Sequence, residues 1–123
     1  MKYSSEIDKT NGICRVKVTG KFIRPDDSDE LKHFALGIFT NNGCCRFLID
    51  LTEAEVVGGT MPTYDAANPT GEIANSLRRI KTAFVRRELS EDDRFYENVA
   101  VNRGFSLRAF DKCEIAVEWL TQR

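Results

Sequence analysis

Hydrophobic and polar positions change period several times along this chain, and each change marks an element. Cys45-Arg46-Phe47-Leu48-Ile49-Asp50-Leu51 is a short, nearly unbroken apolar run that follows an Asn41-Asn42-Gly43 stop. Such a run predicts a strand buried on both faces, as inside a parallel sheet, with Asp50 near its carboxyl end. Ile13 to Phe22 alternates instead, with Ile13, Arg15, Lys17 and Thr19 on one side and Cys14, Val16, Val18 and Gly20 on the other. Lys2 to Asp8 alternates loosely before it, and Asn11-Gly12 between the two is a tight-turn signal. Together they predict an antiparallel hairpin with one solvated face.

Pro25-Asp26-Asp27-Ser28 opens a first helix, with Asp27 or Ser28 as its cap and Glu30 three residues after Asp27, the spacing of a capping box. Leu31, Phe34, Ala35, Ile38 and Phe39 share one helical face, and Gly43 can take the left-handed cap conformation. The acidic run Asp26 to Glu30 suits the helix dipole and reads as a helix start rather than a metal site. His33 reads as a solvated helix residue. Beyond the central strand, Thr52 to Thr70 contains Gly58-Gly59, Pro62 and Asn68-Pro69 and keeps no apolar period. It predicts a long irregular loop with a short helix from about Thr63 and a second from about Thr70 to Arg78, broken at Pro69.

Ile80 to Val85 is the next strand, and Ser90-Glu91-Asp92-Asp93 is a capping box that starts a helix running to Arg103, where Gly104 stops it. Phe105 to Phe110 alternates as a strand. Asp111 then caps a last helix, with Glu114 three positions on and Ile115, Ala116, Trp119 and Leu120 packed on the sheet. The order β-β-α-β-α-β-α-β-α predicts an α/β fold over one domain, residues 1–123, with a mixed, mainly parallel sheet and right-handed crossovers.

Composition narrows the classes of function. The chain has 123 residues, 18 basic and 19 acidic side chains, and a net charge of −1, so no basic field favours nucleic acid. No apolar run approaches the roughly 20 residues that span a bilayer, and Met1 to Glu6 lacks the apolar core of a signal peptide, which points to the cytoplasm. Cys14, Cys44, Cys45 and Cys113 show no Cys-x-x-Cys spacing and read as reduced thiols in that compartment.

Phe95-Tyr96-Glu97-Asn98-Val99-Ala100-Val101-Asn102-Arg103-Gly104, then a strand, Phe110-Asp111, Ala116 and Trp119-Leu120 resembles the SpoIIAA-like group of STAS domains. Leu48-Ile49-Asp50-Leu51 and Val18-Thr19-Gly20-Lys21 match the same group, so the resemblance runs from about Val16 to Leu120 in the same element order. It implies a STAS-like sheet with an N-terminal β-hairpin. The group resembles both anti-sigma-factor antagonists and the lipid-binding SEC14/CRAL-TRIO lineage. The antagonists carry a phosphorylatable serine at the start of the helix after the central strand, typically within Asp-Ser-Ser-Gly. Here Thr52-Glu53-Ala54-Glu55 follows Asp50-Leu51, no serine comes before Ser76, and Thr60 and Thr63 are the nearest hydroxyls. No phospho-acceptor is carried over, and no stoichiometric phosphorylation of residues 60–63 is expected.

Candidate chemistry is sparse. Asp50, Glu53 and Glu55 have no spacing that fixes an acid–base pair. Gly58-Gly59-Thr60 lacks both phosphate-cradling patterns. Cys113, in the first turn of the last helix, reads as a structural thiol. No catalytic set, cofactor or metal site is expected. Arg86-Arg87 leaves a strand at the sheet edge that Asp50 and the Thr52 to Thr70 loop share, where an arginine pair can hold an anion or a partner's carboxylate. Ligands of parallel sheets use that edge. The expected ligand or partner rim is therefore Asp50, Thr52, Gly58, Gly59, Thr60, Thr63, Tyr64, Arg86 and Arg87, with Phe110-Asp111 as a third converging strand end. Replacing both arginines by alanine should weaken binding and spare the fold. Phe22, Tyr64, Phe95 and Tyr96 read as core or as the lining of an apolar cleft. The expected function is a non-enzymatic, STAS-like binding or regulatory module that works through protein contact. The alternative is a carrier or sensor of a small apolar or amphipathic ligand, which an apolar cavity of roughly 300–1,000 Å³ would favour.

Overall fold

The computed structural model describes residues 1–122. Strand β1 (Lys2–Asp8) pairs antiparallel with β2 (Ile13–Ile23), and β2, β3 (Arg46–Val57), β4 (Lys81–Val85) and β5 (Ser106–Phe110) run parallel in spatial order β1-β2-β3-β4-β5. The apolar run beginning at Phe47 lies at the sheet centre, where both faces of a strand are covered. Phe47, Ile49 and Leu51 pack in the larger core with residues of α1 (Asp26–Asn42), α2 (Thr60–Ala67), α3 (Gly71–Leu77) and α4 (Glu91–Asn102). Leu48 points the other way and meets Ala116 and Leu120 of α5 (Cys113–Thr121). Among the described residues, four helices therefore cover one face and one covers the other.

The hairpin turn is longer than a two-residue link. Asp8 organises it: Oδ1 accepts the Thr10 and Asn11 amides at 3.0 and 3.3 Å, and Oδ2 accepts the Asn11 side-chain amide at 3.0 Å. The bond from the Asn11 side chain is the chief reason the Asp8 carboxyl sits below its ordinary pKa. Gly12, at φ +67°, closes the turn in a conformation that suits glycine.

Several element boundaries differ from expectation. Thr52 to Val57 is not loop but a continuation of β3, paired with β2 as far as Ile23 opposite Val57. The alternation is present, since Thr52, Ala54 and Val56 are half-buried while Glu53, Glu55 and Val57 are exposed, but its inward residues are small or polar. Asp50 is consequently mid-strand. One extra β3 residue between Lys17 opposite Asp50 and Thr19 opposite Glu53 makes a bulge. Helix α2 begins at Thr60 rather than Thr63, with Pro62 tolerated in its first turn, and Pro69 separates it from α3 as expected.

The caps divide likewise. Ser90 and Asp93 form the predicted box at α4, with Ser90 Oγ accepting the Asp93 amide at 3.1 Å and Asp93 Oδ2 accepting the Ser90 amide at 3.0 Å. Neither Asp27 nor Ser28 caps α1; Pro25 holds that position, and Asp27 Oδ2 accepts the Ile23 amide at 2.7 Å. Lys112, not Asp111, precedes α5. That helix is also rotated from the expected phase. Ala116 and Leu120 are fully buried, Trp119 is half-buried, and Ile115 is 49% exposed. The i, i+4 pair of Ala116 and Leu120 fixes the stripe, leaving the Trp119 ring on the flank, 5.7 Å from Phe110 and 4.4 Å from Lys81 Nζ. Cys45 lies just outside β3 and is exposed, whereas Cys44 and Cys14 are buried; all four thiols are free. Burial and the nearby Cys44 sulfur raise the Cys14 thiol's pKa.

Candidate functional site

Although β3 continues past it, Asp50 remains level with the ends of the next two strands, opposite Val85, which is in turn opposite Phe110. Its Oδ1 accepts the Thr52 amide at 2.9 Å and the Thr52 hydroxyl at 2.6 Å, pinning the bulge. Arg87 Nη2 donates to the Thr52 carbonyl at 2.9 Å, and the Arg86 amide donates to the Phe110 carbonyl at 2.9 Å. Asp50, Thr52 and Arg87 thus come together. Thr52, Ala54, Arg87 and Glu88 border a shallow depression of about 170 Å³.

Arg86 is not a solvated charge beside its neighbour. Its Nε lies 3.3 Å from Asp93 Oδ2, and Asp93 Oδ1 accepts from Arg24 Nη2 at 3.3 Å. Asp93 is fully buried and Arg24 is 4% exposed. The Arg24 guanidinium also lies 4.9 Å from the centre of the Tyr96 ring and 5.9 Å from that of Phe84. Two guanidinium groups share one carboxylate, and Arg24 Nε and Arg86 Nη1 are buried without a partner. The pattern of the chain signalled Asp93 only as a cap and did not signal Arg24 at all, because their contact spans 69 positions.

The other half of the expected rim sits apart. The β3 overhang from Leu51 to Val57 carries Gly58 roughly 25 Å along the strand from Asp50. Gly58, at φ +132°, passes so close to Arg24 that an added Cβ would lie 3.2 Å from the Arg24 Cβ. Gly59 is the N-cap of α2, Thr60 is exposed, and Thr63 is fully buried with an unpartnered hydroxyl. A kinase would reach Thr60 in this fold but not Thr63. Tyr64 stacks on Phe95 at 6.4 Å, and its hydroxyl accepts from Asn68 Nδ2 at 3.4 Å. Around this end Ile23, Val57 and Met61 are 46%, 38% and 65% exposed, and Ile23 and Val57 are register partners.

A cavity of about 100 Å³ lies between the sheet and the four-helix layer, with Phe22, Leu31, Phe47, Ile49 and Phe105 among its apolar walls. Phe22 and Tyr96 line it, while the Tyr64–Phe95 pair does not. It is smaller than the range that holds a drug-sized ligand. Among the described residues, no group of three or more His, Cys, Asp or Glu side chains is placed to hold a metal ion. No helix there is long and apolar enough to cross a membrane.

No family model and no curated protein sequence matches the chain. Solved structures do match. A candidate anti-sigma factor antagonist from Thermotoga maritima aligns with a TM-score of 0.59 at 14% identity, covering 98% of this chain and 95% of its own. An uncharacterised protein of the DUF3478 family with a SpoIIAA-like fold, from Shewanella loihica, aligns with a TM-score of 0.57 at 12% identity, covering 97% and 92%. The chain has the SpoIIAA-like, STAS-type fold. At these identities the likeness is one of architecture: hairpin, mainly parallel sheet and helical layers.

Proposed function

We propose that this chain is a non-enzymatic binding module of the STAS type that works through protein contact at the end of the sheet where β2 and β3 overhang β4. The observation that carries this is the exposure of Ile23 and Val57, register partners that turn away from the core residues Phe22 and Val56, together with that of Met61 in the first turn of α2, just after the Gly58-Gly59 link. Exposed apolar side chains gathered in one place mark interaction surfaces, whereas scattered ones do not. Asp50, Thr52, Arg86 and Arg87 form the polar flank of the same contact, with Tyr64 on its far side. Regulation by phosphate on Thr60 or Thr63 is left out of this reading, because neither stands in the serine motif of the antagonists.

The test is co-purification after crosslinking in the native cells, comparing the wild type with Met61→Glu and with Ile115→Glu. Ile115 is a comparably exposed apolar residue on α5, an element that is not part of the β2–β3 overhang. Proteins that depend on this surface are lost with Met61→Glu and kept with Ile115→Glu. Equal retention by both variants overturns the reading. The cavity of about 100 Å³ falls short of the roughly 300–1,000 Å³ expected of a carrier, but its apolar walls and buried Arg24 support a second reading, a sensor that admits a small amphipathic ligand beneath α1 and α2.

A further inference from the structure

The cavity wall carries an imbalance of charge. Among the described residues, the charged ones in its lining are Arg24 and Lys32, and none is a carboxylate. Lys32 is held by the Ala66 carbonyl and by Asp29. Arg24 shares its one carboxylate, Asp93, with Arg86, so two cations meet one anion, Arg24 buried and Arg86 partly in solvent. Asp93 is further engaged by the Ser90 amide. Buried charge without compensation is costly, and a buried donor without an acceptor adds to that cost. Arg24, 96% buried, has such a donor in its Nε. Stacking on Tyr96 and Phe84 offsets part of this, but a ring face neutralises no charge.

We infer that the cavity is a binding site for a small amphipathic monoanion, a short-chain monocarboxylate whose head meets Arg24 and whose tail lies among Phe22, Leu31 and Phe47. The site specifies the ligand reading above and stands on it. Carboxylate and guanidinium match in geometry as well as in charge. An apolar cavity near 150 Å³ holds a benzene ring, so about 100 Å³ holds on the order of four or five carbon atoms. Head and tail of hexanoate together make eight heavy atoms, so the end of its chain reaches the open side of the cavity.

Calorimetric titration of the full chain with hexanoate, hexylammonium and acetate tests this. Hexanoate should bind saturably, about tenfold or more tighter than either of the others, since one carries the opposite charge and the other lacks the tail. Equal binding of hexanoate and hexylammonium would show simple apolar uptake and overturn the site, as would no saturable binding of hexanoate. Ala35→Leu fills the cavity from α1, where Ala35 is part of the lining. It should abolish hexanoate binding while the circular dichroism spectrum is kept; undiminished binding puts the ligand elsewhere and overturns the assignment. Arg24→Lys keeps the charge but not the planar fork, and should weaken hexanoate about tenfold. If that variant does not fold, Ala35→Leu decides. Met61→Glu should bind hexanoate as the wild type does, so loss of protein partners and loss of ligand are read separately.

Discussion

Asp93 does three things with one carboxylate. It accepts the Ser90 amide at the start of α4, pairs with Arg86 and pairs with Arg24, all while fully buried. Removing one partner of a buried ion pair leaves the other charge uncompensated, and this is costlier than replacing the whole set with apolar groups. Asp93→Asn is therefore expected to lose roughly 3–5 kcal/mol of stability by urea denaturation. Asp93→Leu combined with Arg24→Met should lose less than the single change, even though more polar groups are removed. A double variant weaker than Asp93→Asn would mean that the pair is net stabilising. Only the first role of Asp93 was legible in the sequence. A cap is a local spacing of three residues, whereas Arg24 lies next to a proline with no periodic signal and finds Asp93 only through the fold.

At the scale of elements, long apolar runs and local spacings were readable, and features set by a neighbour were not. The centre of β3, the break at Pro69 and the α4 box follow from nearest-neighbour rules. The overhang of β3 does not, because Thr52, Ala54 and Val56 form a strand only when β2 runs beside them. The phase of α5 was likewise set from outside: the sheet selects Ala116 and Leu120, and the large ring of Trp119 is left half-exposed. Leu120→Ala is expected to cost roughly 2–5 kcal/mol, the range for a buried aliphatic side chain. Trp119→Ala should cost less than Leu120→Ala and fall below the roughly 3–5 kcal/mol of a buried aromatic. Thermal unfolding of the two variants side by side checks the order. A costlier Trp119→Ala would mean that the α5 stripe is centred on the indole after all.

For the whole molecule, the expected rim resolves into two clusters joined from below. Asp50, Thr52 and Arg87 sit level with the ends of β4 and β5, while Gly58 to Tyr64 lie at the far end of the overhang. Arg24 spans the gap, passing Gly58 at its base and reaching Asp93 and thus Arg86 at its tip. The adjacent arginines are for this reason unlike in role. Arg87 is exposed and donates only to the Thr52 carbonyl, so Arg87→Ala should change stability by less than about 0.5 kcal/mol. Arg86, whose side chain is 19% exposed, takes one cation from Asp93 when it is replaced, and Arg86→Ala should destabilise by roughly 1–3 kcal/mol. The double alanine variant is consequently expected to cost stability, because Arg86 is not the exposed side chain the sequence pointed to, and Arg87→Ala alone is the clean probe of the surface. Hydrogen exchange on the complex with a partner recovered by the crosslinking experiment should show protection around Thr52, Met61 and Arg87 and none at the Asn11-Gly12 turn. The same map collected with Arg87→Ala should keep the fold's own protection and lose the partner's. Protection confined to the Asn11-Gly12 end would remove the rim as the contact.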